Sequence, residues 1–283
     1  MSSDLVPSAV RRVVLVVLDG LRSDAVKVFD LLHLSRLHRR GASTLRAQTV
    51  SPSVTACAMA SLLTGASPDR HGLRSERFHI PRARGTLHPL PRLLAEHALP
   101  TSAFLTKVPL LMGGLAKRIA TFAGIGETRF EGRGAFDVLA AASRNLEQQE
   151  RGLIIMHWPD ADDAGHSRGW MSREYGAAAQ RMDDAIGRLL TMIDLDDPAT
   201  LLVAMADHGG GGGTRKHHNS MHPLDLTIPL VIAGGSVQPG DLGPSVTLPD
   251  VPATVLWALG VPRPESYAGR PLLQAFHALP VAA

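Results

Sequence analysis

The stretch that decides the fold is RRVVLVVLDG (11–20), a run rich in valine and leucine that ends in Asp-Gly. The same pattern recurs in RGLIIMHWPD (151–160) and ATLLVAMADHG (199–209), where polar residues again follow an apolar run. IPLVIAGG (228–235) is a fourth run, and TSAFLT (101–106) is a weaker fifth. Continuous apolar runs of this length are typical of strands that are buried on both faces of a parallel sheet.

Helical patterns lie between these runs. Apolar residues recur at steps of three and four from Tyr175 to Ile193, and shorter patterns occupy 135–146 and 251–259. Strands that alternate with helices predict an α/β protein, a three-layer αβα sandwich around a mostly parallel sheet. Residues 66–92 and 236–250 are rich in Pro, Gly or Arg and are expected to form loops.

Composition narrows the function classes. The 283 residues are 45% hydrophobic but only 4% aromatic, which predicts an aliphatic core, and no stretch has the composition of an interdomain linker. We therefore expect a single domain over residues 1–283. A formal net charge of +3 gives no reason to expect a nucleic-acid polymer as partner. The single cysteine, Cys57, excludes a disulfide framework within the chain and a thiolate zinc cluster.

The N-terminal residues MSSDLVPSAVRR lack the apolar core of a signal peptide. The apolar run Val13–Leu18 is far too short to cross a membrane. From these features we expect a cytoplasmic protein without a membrane partner. The sequence leaves the oligomeric state open.

Acidic residues and histidines follow three of the predicted strands. The first strand ends in Asp19, the second continues into HWPDADDAGH (157–166), and the third ends in Asp207-His208. Ligands of open parallel sheets bind outside the carboxyl ends of the strands, so these residues are expected to share one edge. Converging carboxylates repel one another unless a cation lies between them. The pattern therefore predicts a divalent metal site.

The segment after the second strand contains Asp162-x-x-Gly-His166. This spacing can bring a carboxylate and an imidazole to one ion, with Gly165 expected to allow a tight turn. Asp160 and Asp163 are expected to form supporting hydrogen bonds instead of binding the ion.

SPSVTACAMASLLTG (51–65) predicts a short helix that begins near Thr55 and ends at Thr64-Gly65. In one interpretation, Thr55 or Ser53 is only an N-cap of this helix. In the other, the Thr55 hydroxyl is a nucleophile, because a helix N-terminus attracts phosphoryl oxygens and a metal can lower the pKa of a hydroxyl.

Together these segments resemble the alkaline phosphatase superfamily, specifically its type I phosphodiesterase and nucleotide pyrophosphatase branch. Four blocks carry the resemblance across residues 13–235: VVLVVLDGLRSD, SPSVTACAMASLLTGASPDRHG, PDADDAGHSRG and ADHGGGG…HH…IPLVIAGG. In that family the nucleophile lies nine residues before the Thr of a Thr-Gly pair, as Thr55 does before Thr64. The resemblance implies a two-metal hydrolase of small phosphate esters, diesters or nucleotide pyrophosphates, that acts through a phosphothreonine intermediate on Thr55.

The resemblance also implies two sets of metal ligands. They are Asp19, Thr55, Asp207 and His208 for one ion, and Asp162, His166 and a later histidine for the other. The family often places that histidine about eleven residues before the proline of Ile-Pro, which favours His218 over His222. His217 is expected to be exposed and Asp225 to support a ligand. Mixed Asp and His ligands favour Zn²⁺, with Mn²⁺ as the alternative, and two-metal sites hold their ions about 4 Å apart.

The chain departs from the family pattern at two places. The family often has Pro and Asn two and three residues after the nucleophile, where this chain has Cys57 and Ala58. Nucleotide pyrophosphatases also carry an Asn shortly after His-Gly, and none follows at 73–82. Arg74 or Arg77 is an alternative phosphate ligand, because guanidinium suits phosphate, or both belong to a solvated basic loop.

Other functions on the same fold stay open, namely a phosphomonoesterase, a phosphonate hydrolase or a sulfatase-like hydrolase. Sulfatases use a modified Cys or Ser as nucleophile and an Arg four residues later, whereas this chain has Thr55 and Met59. A phosphomutase would need a cap domain that the sequence does not suggest. A non-catalytic metal-binding interaction protein is the alternative from another class, although every expected ligand is present. The loops at 66–92 and 109–134 are expected to select the substrate.

Overall fold

The computed structural model describes residues 9–75, 83–106 and 110–277. Its strands are β1 (Arg12–Leu18), β2 (Ala42–Gln48), β3 (Thr101–Leu105), β4 (Glu127–Phe130), β5 (Gly152–Trp158), β6 (Thr200–Met205), β7 (Thr227–Gly234) and β8 (Gly240–Asp241). Its α-helices are α1 (Ala25–Val28), α2 (Leu32–Arg40), α3 (Thr55–Thr64), α4 (Pro68–His71), α5 (Leu90–Glu96), α6 (Leu110–Phe122), α7 (Ala135–Gln148), α8 (Asp160–Arg168), α9 (Arg173–Leu189), α10 (Pro223–Leu226) and α11 (Asp250–Ala258). A 3₁₀ turn follows at Leu273–Ala275.

The eight strands form one sheet in the order β4-β3-β5-β1-β6-β7-β2-β8. All neighbouring pairs are parallel except those of β7, which runs antiparallel to both β6 and β2. Every residue of β5 and β6 is buried, so both faces of the central sheet are covered by other layers. The predicted fold class, an αβα sandwich around a mostly parallel sheet, is confirmed.

The register of the central strands fixes which side chains can meet at the carboxyl edge. Val17 of β1 is paired with His157 of β5 and with Met205 of β6. Side chains along a strand alternate between the two faces. Asp19 and Asp207, each two residues beyond a member of this row, are therefore directed to the same face as His157.

The predicted helices correspond to α7, α9 and α11, and α3 begins at Thr55 and ends at Thr64. Gly65 ends α3 in the left-handed conformation, with φ of 63°. This backbone conformation favours glycine as a C-cap.

Several elements lie where loops were predicted or where no element was recognised. The missed strands are β2, β4 and β8, whose sequences are short or polar. The stretch 66–92 contains α4 and the start of α5, and 109–134 contains α6 and β4. Within the described ranges, no helix combines the length and the apolar character that crossing a membrane requires.

Gly165 does not form the predicted tight turn, because the segment from Asp160 to Arg168 is the helix α8. A Cβ atom at Gly165 would lie 2.6 Å from the ring of Trp170. Glycine is required there for close packing of α8 on that ring. Asp162 and His166 still share one face of α8, because they are four residues apart on a helix.

Candidate metal centre

Asp19 and Asp207 lie at the carboxyl ends of two adjacent strands, and both are buried. Oδ1 of Asp207 accepts hydrogen bonds from the backbone N–H groups of Gly20 at 3.2 Å and His208 at 3.0 Å. Oδ2 of Asp207 is buried, has no hydrogen-bond partner among the described residues, and lies 3.5 Å from Nε2 of His208. One oxygen of this carboxylate is thus anchored by backbone, while the other is directed to the cluster.

Thr55 is the first residue of α3, and its hydroxyl does not cap the helix. Oγ1 of Thr55 lies 3.0 Å from Nε2 of His208 and 3.5 Å from Oδ1 of Asp19. Within the described part of the chain, the backbone N–H groups of Thr55 and Ala56 have no protein acceptor. The hydroxyl and the positive end of α3 therefore point to the same place as the two carboxylates.

Asp162, His166 and His218 form the other side of the cluster. Nε2 of His218 lies 3.6 Å from Oδ1 of Asp162, and Nε2 of His166 lies 3.5 Å from Oδ2 of Asp162. The Nε2 atoms of the two histidines are 3.0 Å apart. All three residues therefore present ligand atoms to a common space.

The three histidines direct the same ring nitrogen to the cluster. In each, Nδ1 lies at hydrogen-bond distance from a backbone carbonyl: Gly209 O at 2.9 Å for His208, Lys216 O at 2.9 Å for His166, and Ser53 O at 2.6 Å for His218. A carbonyl only accepts, so we assign the proton to Nδ1 in all three rings. Each Nε2 then carries a lone pair, the arrangement usual for metal-binding histidines.

The donor set fits a cation. Two lone pairs 3.0 Å apart, on His166 and His218, repel each other unless a positive charge lies between them. Oδ1 of Asp162 and Oδ2 of Asp207 are buried and have no hydrogen-bond partner among the described residues. Buried carboxylate oxygens without partners are costly, and a divalent ion would satisfy them.

Burial, with smaller effects of neighbouring charges, shifts the pKa values of three groups at the site. Burial, followed by the nearby charges of Asp207 and Asp162, raises the pKa of Asp19 well above its usual value. Burial also raises the pKa of Asp162 to about 6. Burial, and then His208, lowers the pKa of His218 to about 4. Without a cation, burial therefore favours the protonated forms of Asp19 and Asp162 and the neutral form of His218.

His208 lies between the two groups of ligands. The ligand atoms of Asp19, Asp207 and His208 are all within 4.8 Å of one another, and so are those of Asp162, His208 and His218. The resemblance assigns His208 to the ion of Asp19, but its geometry also allows contact with the other group.

The other sequence-predicted residues lie outside this cluster. His217 and His222 are exposed, and His222 accepts a hydrogen bond from the N–H of Leu224 at the start of α10. Asp163 is also exposed. Asp160 accepts a hydrogen bond from the N–H of Ala135 at 2.8 Å and so supports the start of α7.

Three further polar residues were singled out, Arg74 and Arg77 as phosphate ligands and Ser53 as a cap. The guanidinium of Arg74 is paired with Asp69 at the surface, and Arg77 lies outside the described residues. The Ser53 hydroxyl donates to the backbone carbonyl of His218, so Ser53 supports that histidine instead of capping α3.

The run of five glycines at 209–213, called the glycine run below, fits closely against the protein beneath it. A Cβ atom on Gly210 would lie 2.1 Å from the Trp170 ring, and one on Gly209 would lie 2.0 Å from the carbonyl of Leu224. The buried carboxylate of Asp225 accepts the N–H of Gly212 at 2.7 Å. Glycine is thus needed for close packing within the protein.

His157 was missed by the sequence analysis. It is buried near the end of β5, and its Nε2 lies 3.3 Å from Oδ2 of Asp19. Burial lowers the pKa of His157, which favours the neutral ring. The signal was available in the period of two along the strand, which directs His157 to the same face as Asp19 once β1 and β5 are taken as neighbours.

Two models of known families match this chain, and each covers part of the site. A model of the type I phosphodiesterase / nucleotide pyrophosphatase family matches residues 13–88, which include Asp19 and Thr55. A model of the metalloenzyme superfamily matches residues 129–263, which include the other five predicted ligands. The chain belongs to the alkaline phosphatase superfamily. The resemblance noted in the sequence is thereby confirmed at the level of the superfamily.

Solved structures of other superfamily proteins share the fold at low sequence identity. An inactive murine ectonucleotide pyrophosphatase / phosphodiesterase 5 in complex with AMP has a TM-score of 0.69 at 12% identity, over 89% of this chain and 96% of that one. A phosphonate monoester hydrolase from Silicibacter pomeroyi has a TM-score of 0.65 at 18% identity, over 94% and 76%. A lipoteichoic acid synthase from Listeria monocytogenes has a TM-score of 0.68 at 16% identity, over 96% and 78%.

Curated relatives match about half of this chain. The 2,3-bisphosphoglycerate-independent phosphoglycerate mutase of Desulforudis audaxviator is 32% identical over 145 residues, 49% of this chain and 26% of the mutase. The catalytic subunit of human GPI ethanolamine phosphate transferase 2 is 26% identical over 144 residues, 48% of this chain and 14% of that protein. The matched part is thus about a quarter of the mutase and less of the transferase.

Proposed function

We propose that this protein is a two-metal hydrolase of phosphate esters, with phosphodiesters or nucleotide pyrophosphates as its preferred substrates. The observation that carries the proposal is the position of the Thr55 hydroxyl. Its Oγ1 lies 3.0 Å from Nε2 of His208 and 3.5 Å from Oδ1 of Asp19, at the N-terminus of α3. A nucleophile needs activating groups beside it, and the Thr55 hydroxyl has His208 and Asp19 beside it.

Seven residues would hold two divalent ions. The first ion would be bound by Asp19, Thr55, Asp207 and His208, and the second by Asp162, His166 and His218. Their mixture of carboxylate and imidazole ligands favours Zn²⁺, with Mn²⁺ as the alternative. When bound, such ions lower the pKa of a hydroxyl and neutralise charge on phosphoryl oxygens.

In the proposed reaction, Oγ1 of Thr55 forms a bond to phosphorus as the bond from phosphorus to the leaving alcohol breaks. The hydroxyl proton is lost to solvent, and the leaving oxygen takes up a proton from water. The N–H groups of Thr55 and Ala56, which have no acceptor among the described residues, are available to a phosphoryl oxygen during this step. Water then attacks the same phosphorus, which releases the phosphate product and restores the threonine hydroxyl.

Two findings favour phosphate esters over sulfate esters. The family model that covers Thr55 is that of type I phosphodiesterases and nucleotide pyrophosphatases. Met59 occupies the position four residues after Thr55, where the sulfatase pattern has an arginine.

The likeness to a nucleotide pyrophosphatase bound to AMP is consistent with a nucleotide substrate. The mutases are matched over about a quarter of their length, so transfer back to an acceptor alcohol receives less support.

A panel of aryl esters tests the proposal. The zinc-loaded and manganese-loaded protein should hydrolyse bis(4-nitrophenyl) phosphate faster than 4-nitrophenyl phosphate, and either faster than 4-nitrophenyl sulfate. Thr55→Ala, prepared and loaded in the same way, is the matched control for contaminating phosphatases. Preferred hydrolysis of the sulfate would assign a sulfatase. A protein that binds both ions but cleaves none of the esters would favour the non-catalytic alternative.

A further inference from the structure

We propose that His157 is a positioning residue that holds the Asp19 carboxylate in the orientation needed to bind a metal ion. The inference rests on the proposed metal centre, because it assigns a role toward one of its ligands. Nε2 of His157 lies 3.3 Å from Oδ2 of Asp19, and the side chains are 10% and 7% exposed. Two largely buried groups of opposite hydrogen-bonding character thus face each other at the carboxyl edge of the sheet.

The two oxygens of Asp19 face different partners. Oδ1 is directed to Oγ1 of Thr55 at 3.5 Å and to Nε2 of His208 at 3.3 Å. Oδ2 is directed away from them to His157. A carboxylate that binds through one oxygen can still rotate about its bond to Cβ. A donor on the second oxygen restricts that rotation and so orients the ligand.

His157 contacts a ligand without sharing the space between the ligands. The ligand atoms of Asp19, Asp207 and His208 lie within 4.8 Å of one another, and His157 does not belong to that set in the described part of the chain. Its contact is with the oxygen on the far side of Asp19. This geometry is typical of a residue that acts through a ligand and does not itself bind the ion.

The buried nitrogen of His157 also needs a partner. Nε2 is inaccessible to solvent, and its 3.3 Å contact with Asp19 is not aligned as a hydrogen bond. A buried donor without an acceptor costs about 1–3 kcal/mol, so such groups are rare unless they serve a function. A hydrogen bond from Nε2–H to Oδ2 of Asp19 would satisfy the donor and fix the carboxylate at the same time.

The test compares His157→Phe, which removes the donor, with His157→Gln, which keeps an N–H near the position of Nε2. His38→Gln is the matched control, because His38 is a partly buried histidine beside Ser43, near the start of β2 and away from the carboxyl edge. Zinc stoichiometry and affinity are measured by calorimetric titration of each folded variant, with thermal unfolding recorded in parallel.

We expect His157→Phe to retain one ion at wild-type affinity and to bind the other about 10- to 100-fold more weakly. His157→Gln should recover most of that loss, and His38→Gln should bind both ions like the wild type. Two ions bound at wild-type affinity by His157→Phe would overturn the inference. Equal losses in the Phe and Gln variants, together with lowered unfolding temperatures, would assign His157 a purely structural role.

A second comparison isolates the path through Asp19. If His157 acts only on that carboxylate, adding His157→Phe to Asp19→Asn should change zinc affinity less than twofold. Additive effects of the two substitutions would contradict the positioning role. A wild-type protein that binds neither zinc nor manganese would overturn the proposed function together with this inference. Normal two-ion binding in both wild type and His157→Phe would overturn the inference alone.

Discussion

The imidazole rings of His208 and His218 are stacked, with centroids 3.8 Å apart and planes inclined by 7°. The segment between them begins with the glycine run and returns the chain to the same place. Nδ1 of each ring is held by a backbone carbonyl, so each Nε2 is directed to the carboxylates of the cluster. The two proposed ion sites are therefore connected by one short segment of chain.

Substitution of His218 should remove one of the two ions. His218→Ala deletes the imidazole that faces Asp162 and His166, so we expect one bound zinc instead of two and at least a 100-fold loss of activity. Metal analysis after dialysis, combined with esterase assays, measures both effects.

His217→Ala is the matched control, since the neighbouring histidine is exposed, and it should keep both ions. The assignment would be wrong if His222→Ala lost an ion while His218→Ala kept two. If none of the three substitutions mattered, the second site would be completed by another residue.

Substitution of Thr55 should lower activity without affecting the fold or most of the metal binding. We expect Thr55→Ala to lower kcat by about 10⁴-fold, because the covalent route is lost, while its unfolding temperature stays close to that of the wild type. Thr55→Ser should retain part of the activity. Hydrolysis of a diester by Thr55→Ala at the wild-type rate would reduce Thr55 to a structural residue of α3.

The glycine run should tolerate side chains poorly where it packs on Trp170. A Cβ atom on Gly210 would lie 2.1 Å from that ring, so Gly210→Ala should destabilise the protein by about 1–3 kcal/mol. Gly240→Ala is the control, because no atom of the described residues lies within 4 Å of its added Cβ. Denaturant unfolding compares the two variants. Equal stability of both would show that the ring of Trp170 moves aside without cost.

Removal of the metal should lower stability as well as activity. The cluster contains buried carboxylate oxygens that have no hydrogen-bond partner in the described part of the chain, so ions that bind only the folded protein should raise its unfolding temperature. We expect chelation to lower that temperature, and added Zn²⁺ or Mn²⁺ to restore it together with esterase activity. Mg²⁺ at the same concentration is the comparison. An unfolding temperature that no divalent ion changes would argue against a metal site.

The central sheet was predictable because its strands carry uninterrupted apolar runs. β1, β5 and β6 are buried on both faces, so their sequences are mostly apolar and lack the many polar positions found in surface helices and loops. β2 was missed because its sequence, ASTLRAQ, mixes small and polar residues at the side of the sheet. The antiparallel direction of β7 also could not be predicted, because an apolar run does not encode its direction.

Residues at the site were predictable where they follow a strand or begin a helix. Asp19, Asp207 and Thr55 occupy such positions, and the structure brings all three together. His157 was missed because it lies inside an apolar run, where a single histidine is expected to be a core residue. Only the pairing of β1 with β5 brings it close to Asp19, and pairing is a property of the folded sheet.

The most direct test of the account is the search for a covalent intermediate on Thr55. The zinc-loaded protein is mixed with excess bis(4-nitrophenyl) phosphate, quenched in acid within one turnover, digested, and examined by mass spectrometry. The account predicts a phosphoryl adduct on the peptide that contains Thr55, together with a burst of nitrophenol. It also predicts that Thr55→Ala forms no adduct and shows no burst. Rapid turnover without an adduct, or an adduct on another residue, would contradict the central claim.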